Sequence, residues 1–203
     1  MVKITKKAAS QTKSKIVSAA WRLFYEQGYD DTTVEEIVEL SGTSKGSFYH
    51  YFEGKDALLG SLSTLFDEKY EQLIPTLDPK MDSFEALMFL NGELFSMIEN
   101  SVSIELLSRL LATQLSSGER HLLDRSRTYF RLLSKTVKSG QARGELRTDT
   151  SANEIVRAYA LCERAFMYDW CLSGGEYSLA KYAAPLMRAF LSCFRAESKN
   201  DEM

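Results

Sequence analysis

The chain has 203 residues, 44% hydrophobic and 26% charged, with 25 lysines and arginines against 28 aspartates and glutamates. Such a balance describes a folded chain with a real core rather than a disordered one, and the formal charge of −3 argues against a generic polyanion binder. Three cysteines (Cys162, Cys171 and Cys193) without CxxC spacing argue against a disulfide framework or zinc knuckle, and the polar start and absence of an 18-residue apolar run predict neither a signal peptide nor a membrane span.

The net charge hides an uneven distribution. Lys3, Lys6, Lys7, Lys13, Lys15 and Arg22 precede any acid, so a polyanion would meet the N-terminal end while the acidic excess lies further on. From Ser14 to Gln27, Ile16, Val17, Ala20, Leu23 and Phe24 recur at helical spacing, and Gly28 marks a stop. Thr33-Val-Glu-Glu36 reads as a capping box that opens a short helix through Ile37, Val38 and Leu40, which Gly42 ends. Ser44 caps a third helix of about two turns carrying Lys45 to Tyr51. A fourth helix opens at Gly54 and Lys55, buries Leu58, Leu59, Leu62, Phe66, Tyr70 and Leu73, and closes at Pro75 and Pro79.

Beyond Asp82 the expected helices are 83–100, 104–116, 119–139, 151–172 and 178–196, separated by glycine-rich or small polar breaks. No strand-like alternation competes. The last two helices are apolar around much of their circumference, through residues such as Val156, Tyr159, Phe166 and Trp170 on one and Leu179, Leu186, Phe190 and Phe194 on the other. Helices of this kind need cover on more than one face, supplied by their own chain or by another subunit, and we expect a homodimer through 151–172 and 178–196.

The spaced set Gly28-Tyr29, Thr33-Val34-x-x-Ile37, Ser41-Gly42-x-Ser44-x-Gly46-x-Phe48-Tyr49-x-Tyr51-Phe52-x-x-Lys55-x-x-Leu58 resembles the DNA-binding signature of the TetR family of bacterial transcriptional regulators. Thr43 departs from the small apolar residue usual there, and Glu35, Glu36 and Glu39 make the second helix unusually acidic. The resemblance implies an all-α fold of about nine helices, with a helix-turn-helix DNA-binding domain at 1–55 and a larger helical effector-binding and dimerisation domain at 56–203. It implies a dimeric, cytoplasmic repressor that binds double-stranded DNA at a palindromic operator and is released by a small, mostly apolar effector. The implied DNA-binding residues are Thr33, Thr43, Ser44, Lys45, Gly46, Ser47, Tyr49, His50 and Lys55, with Tyr49, His50 and Lys55 set against phosphate. Phe48 and Phe52 are expected in the core by their spacing, and Gly46, costly inside a helix, suggests close approach by DNA or by the preceding helix.

For the effector, the apolar candidates are Met88, Phe89, Phe95, Met97, Leu111, Phe130, Tyr159, Phe166 and Trp170, with Arg109, Gln114 and Arg164 available to orient a polar group. No nucleophile-base pair or metal-ligand cluster accompanies His50 and His121, so neither catalysis nor a cofactor is expected. Two other readings stay open: a redox or metal sensor on the same scaffold using Cys162 and Cys171, and an adaptor whose acidic second helix meets protein instead of DNA.

Overall fold

Caps and left-handed glycines set the helix limits. In a computed structural model, in which residues 2–117 and 121–196 are described, nine α-helices form among the described residues: α1 Val2–Gln27, α2 Val34–Ser41, α3 Lys45–Tyr51, α4 Leu62–Leu73, α5 Ser83–Ser101, α6 Ile104–Ser117, α7 Thr128–Arg143, α8 Ala152–Leu172 and α9 Leu179–Ser192. The sole extended pairing among them is one antiparallel bridge between Leu146 and Arg195. The all-α expectation holds.

Thr33 accepts from the Glu36 amide at 3.2 Å while Glu36 Oε2 accepts from the Thr33 amide at 2.8 Å, closing the capping box of α2. Gly42 ends that helix at φ +63°, a conformation costly for any residue with a Cβ. Ser151 and Glu154 repeat the box at the start of α8.

Four helices differ from the sequence expectation, one of them only in that the helix expected over 178–196 ends at Ser192. The first helix starts at Val2 rather than Ser14, so the backbone of the lysine-bearing segment is helical, although the side chains of Lys3, Lys6 and Lys7 lie outside the described residues. The fourth helix opens as a 3₁₀ segment, Asp56–Ser61, before continuing as α4. The helix expected over 119–139, whose first two residues fall outside those described, begins only at Thr128 and runs on through Gly140 to Arg143. A turn through Asp124 delays the start, since Asp124 Oδ1 accepts from the Ser126 amide and its carbonyl from the Arg127 amide. Gly140 is not a breaker at all: a Cβ there would meet Ser83 Cβ at 2.6 Å and Leu146 Cδ1 at 2.9 Å, so glycine permits close packing, and Gly144 at φ +72° provides the stop.

The chain divides into two compact units. One comprises residues 1–64 with 101–121, the other 65–100 with 122–203. In the first, Ile16, Ala20, Phe24, Tyr29, Ile37, Phe48, Phe52, Leu58, Leu62 and, from α6, Leu107 and Leu110 are buried. In the second, Phe84, Leu90, Phe95, Leu133, Tyr159 and Met187 are fully buried, and Asn91, Arg127 and Glu163 are polar residues enclosed among them. That enclosure is unusual, because Glu is almost never fully buried without a partner.

Candidate nucleic-acid interface and ligand cavity

The first unit presents α3 as a half-buried helix. Phe48 is fully buried and stacks on Phe52, at 5.7 Å between ring centroids, which pins one face to the core. The opposite face carries Ser44, Lys45, Gly46, Tyr49 and His50, all exposed, with Tyr49 at 55%. Ser44 accepts from the Ser47 amide at 3.1 Å and caps the helix. A Cβ on Gly46 would have only Ser44 Oγ near it, at 3.8 Å, so within the described residues nothing in the chain itself demands a glycine. The preceding helix is thereby removed as the reason for Gly46. Thr43 bonds its hydroxyl to Ser41 Oγ at 2.7 Å and belongs to the turn, while Thr33 faces solvent at the α2 cap.

Two of the lysines expected at DNA already have partners within the chain. Lys55 donates to the carbonyls of Tyr29 at 2.6 Å, Thr32 at 2.8 Å and Asp30 at 3.2 Å, and its ammonium lies 4.4 Å from the Tyr29 ring centroid. All three donors are thus spent holding the turn between α1 and α2. Lys45 pairs with Glu35, whose carboxyl it holds below the usual range by direct hydrogen bonding. Glu36 is engaged in the capping box and with Gln27, so two of the three acids of α2 have partners.

The Tyr29 ring is the hub of this turn. Its hydroxyl donates to Asp56, and burial together with that bond raises its pKa. Arg109 of α6 lies 4.8 Å from the ring centroid and donates to Asp30 at 2.5 Å and Glu105 at 3.1 Å. Arg109, with Leu111 and Gln114, therefore belongs to the first unit and not to a pocket of the second.

In the second unit a narrow cavity, with room for about one water, is lined by Phe66, Tyr70, Leu94, Leu122, Arg127, Tyr129, Ala160, Glu163, Arg164 and Met167. Glu163, 2% exposed, accepts from Asn91 Nδ2 at 3.0 Å and from the Tyr129 hydroxyl at 2.7 Å. Burial raises its pKa, and the neighbouring Asn91, Tyr129 and Tyr159 side chains with the charge of Arg164 oppose that shift without cancelling it. Arg127 directs its guanidinium to Asp67 through two bonds of 3.2 and 3.1 Å and to the Leu122 carbonyl at 3.3 Å. The Tyr70 hydroxyl is fully buried with no hydrogen-bond partner among the described residues.

Of the effector candidates read from the sequence, only Arg164 lines this cavity. Met88 and Phe89 flank a separate, open groove with Met81, Glu85, Ala184, Pro185 and Arg188. Phe95 packs on Phe166, Tyr159 donates to the Leu87 carbonyl at 3.0 Å, and Trp170 donates to the Tyr177 carbonyl at 2.9 Å, all as core. Phe130 stacks against Tyr129, and Met97 is half-buried. Tyr70, Arg127, Tyr129 and Glu163 of the cavity wall, with Asn91 bonded to Glu163, are not among the effector candidates read from the sequence; an acid inside the apolar run of α8 was the signal that could have found them. Cys162 and Cys171 are half-buried thiols, and burial pushes Cys162 up to about 11. Among the described residues no cluster of three or more His, Cys, Asp and Glu could hold a metal, and no helix is long and apolar enough to cross a membrane.

A capped helix-turn-helix with one helix face left to solvent, joined to a helical body with a cavity, defines a class of two-unit DNA-reading proteins. The model of the bacterial regulatory proteins of the tetR family matches residues 16–62, the segment that holds this geometry. The transcriptional regulator TtgR of Pseudomonas putida is 37% identical over 73 residues, 36% of this chain, which spans only 35% of that relative's length. AcrR of Shigella flexneri is 25% identical over 210 residues, covering 95% of each chain. The crystal structure of Thermus thermophilus FadR, a repressor solved with lauroyl-CoA, superposes with a TM-score of 0.70 at 22% identity over 94% of this chain and 98% of its own. Residues 16–62 therefore carry the tetR-family pattern, and the relatives that share it are HTH-type transcriptional regulators.

Proposed function

We propose that the protein is a dimeric transcriptional repressor that reads a palindromic operator with α3 and is released by a small molecule bound in its second unit. The observation that carries this reading is the exposed face of α3, where a capped helix leaves Ser44, Lys45, Gly46, Tyr49 and His50 to solvent with no intramolecular reason for the glycine. Short polar groups and a backbone open to close approach suit base edges, while Tyr49 and His50 suit phosphate. Thr33, Thr43 and Ser47 border that face, and Lys55 supports it from behind. The functional division proposed is 1–55 for reading and 56–203 for effector binding and dimerisation, although by packing α6 belongs with the head.

An apolar strip on α8 and α9 supports pairing. Leu161, Tyr168, Leu172, Tyr182, Leu186 and Phe190 are each 43–69% exposed, and covering them with a second copy removes that surface from water. Two copies of α3 would then enter successive major grooves about 34–36 Å apart, in the cytoplasm where bacterial DNA lies. The effector acts by binding one dimer geometry better than another, a coupling of about 1–3 kcal/mol that lowers occupancy about 5- to 150-fold. FadR of Bacillus subtilis was solved with stearoyl-CoA and that of T. thermophilus with lauroyl-CoA. The cavity here is narrow and carries a buried carboxyl.

Selection of duplexes from a randomised DNA pool at about 0.15 M salt tests the reading. A recovered palindrome with half-sites about one helical turn apart supports it. Recovery of no motif would sink it and leave the adaptor reading in front.

A further inference from the structure

The first unit holds one helical stretch whose pitch the regulator reading does not use. Asp56–Ser61 is 3₁₀ over six residues, and such runs rarely pass about three or four. The backbone on either side is right-handed helical, with Lys55 at φ −59° and ψ −37° and Leu62 at φ −58° and ψ −33°. The stretch and α4 therefore follow one helical path with a tight first part. That path leads out of the head, since residues 62–64 of α4 belong to the first unit and 65–73 to the second.

Local chemistry favours the tight pitch. Gly60 is the residue type least suited to an α-helix after proline, and the Ser61 and Ser63 hydroxyls donate to the Leu58 and Gly60 carbonyls at 2.5 and 2.7 Å. Both ends are also fastened. The Tyr29 hydroxyl donates to Asp56 at the first residue, and Trp21 Nε1 donates to Ser61 Oγ at 2.8 Å at the last. Trp21, Phe24 and Tyr29 form a row of rings with centroids 5.5 and 4.9 Å apart, and Phe24 is buried, so the two clamps hang on one wall. Five steps separate Asp56 from Ser61, about 10 Å at the 3₁₀ rise and about 7.5 Å at the α rise. A full change of pitch cannot keep both bonds.

We infer that Trp21 and Ser61 are positioning residues for DNA reading: their bond holds Asp56–Ser61 at the 3₁₀ pitch, and its release lets the segment relax toward α-helix and resets the path on which the chain leaves the head. The inference rests on the reading in which α3 binds DNA, and it names what fixes the setting of that head. Each residue that changes shortens the path by about 0.5 Å and turns it by about 20°. Two to four residues give about 1–2 Å, the size of the helix shifts by which packed proteins switch. Leu58, Leu59 and Leu62 are buried and keep the change partial.

Gly60→Ala combined with Ser61→Ala removes the glycine and the clamp together. Crystal structures of this variant and of the parent, superposed on α1–α3, should differ in that residues 56–61 turn largely α-helical and the start of α4 moves by about 1–2 Å. On DNA recovered by the selection above, the variant should lose at least about tenfold in affinity for the two-half-site operator, within the usual range of such couplings, and keep its affinity for a single half-site. It should melt no lower than the parent. Trp21→Phe, which keeps a ring and removes the donor, should show the same split between operator and half-site, whereas Ser61→Thr, which keeps the hydroxyl, should bind as the parent does. A double variant that stays 3₁₀, or a loss that falls equally on operator and half-site, would overturn the inference. Should the selection recover no operator, the regulator reading fails, while the two crystal structures still decide whether the clamp sets the pitch.

Discussion

Lys55 shows how a residue's type can be legible in a sequence while its surroundings are not. The sequence pattern places a lysine beside the recognition helix, and the resemblance sets it on phosphate. Only the three-dimensional turn shows three carbonyls converging on it. Replacing Lys55 by Ala should therefore cost about 1–3 kcal/mol of stability, the usual value of charge-assisted bonds to buried groups, seen as a lower melting temperature. The salt dependence of DNA binding by the surviving folded protein should stay as it was, whereas Tyr49→Ala or Lys45→Ala should lower affinity for every duplex with little change in melting. A shallower salt slope for Lys55→Ala would restore it to the phosphate set. Glu163 allows a prediction of the opposite kind. Its folded pKa is raised, so the folded chain holds that proton more tightly than the unfolded one. Ionising it costs stability that begins to be lost above about pH 4.3, the value of a free glutamate, and the loss grows until the folded pKa is passed. Tyr70, Tyr129 and Tyr159 around it are all pushed well above their usual value by burial and stay neutral throughout. Glu163→Gln should then melt higher than the parent near pH 8 and show no such gain near pH 4; an equal gain at both would show that the carboxyl does not titrate in that range.

Helices were legible where short-range chemistry sets their limits. The Thr33 box, the Gly42 stop and the Ser44 cap are local patterns, and each lies where the spacing put it. Thr33→Ala should cost about 1 kcal/mol by calorimetry, as cap removals do. Boundaries set by distant packing were not legible. Gly140 has the look of a helix end, yet it is a helix interior pressed on Ser83, a neighbour 57 positions away that no local pattern announces. Gly140→Ala, which on an exposed helix would gain about 1 kcal/mol, should instead destabilise by about 1–3 kcal/mol because the added methyl has nowhere to go. A stabilised variant would mean that Ser83 and Leu146 move aside cheaply. The same distinction separates the two sites. The exposed face of α3 lies within the seven residues from Ser44 to His50, whereas the cavity gathers side chains from α4, α5, α7, α8 and the segment before α7, which apolar periodicity along one helix does not bring together.

At the scale of the whole molecule the exposed strip on α8 and α9 asks for a partner. Leu172→Asp combined with Phe190→Asp should yield a monomer by light scattering with a melting temperature close to the parent's, since both side chains already face solvent within one chain. Loss of tight binding to a two-half-site operator, with single half-sites still bound weakly, would follow from the same change. A protein that stays dimeric would move the interface elsewhere. The two units also differ in a way that an optical instrument resolves. The sequence holds two tryptophans, and one falls in each unit: Trp21 donates to Ser61 Oγ at 2.8 Å, and Trp170 donates to the Tyr177 carbonyl at 2.9 Å. Replacing either by Phe leaves a single fluorophore, so the emission of each variant follows the denaturation of one unit alone. Superimposable curves would mean that reading head and ligand body come apart in one cooperative step, and separated curves would give each its own free energy.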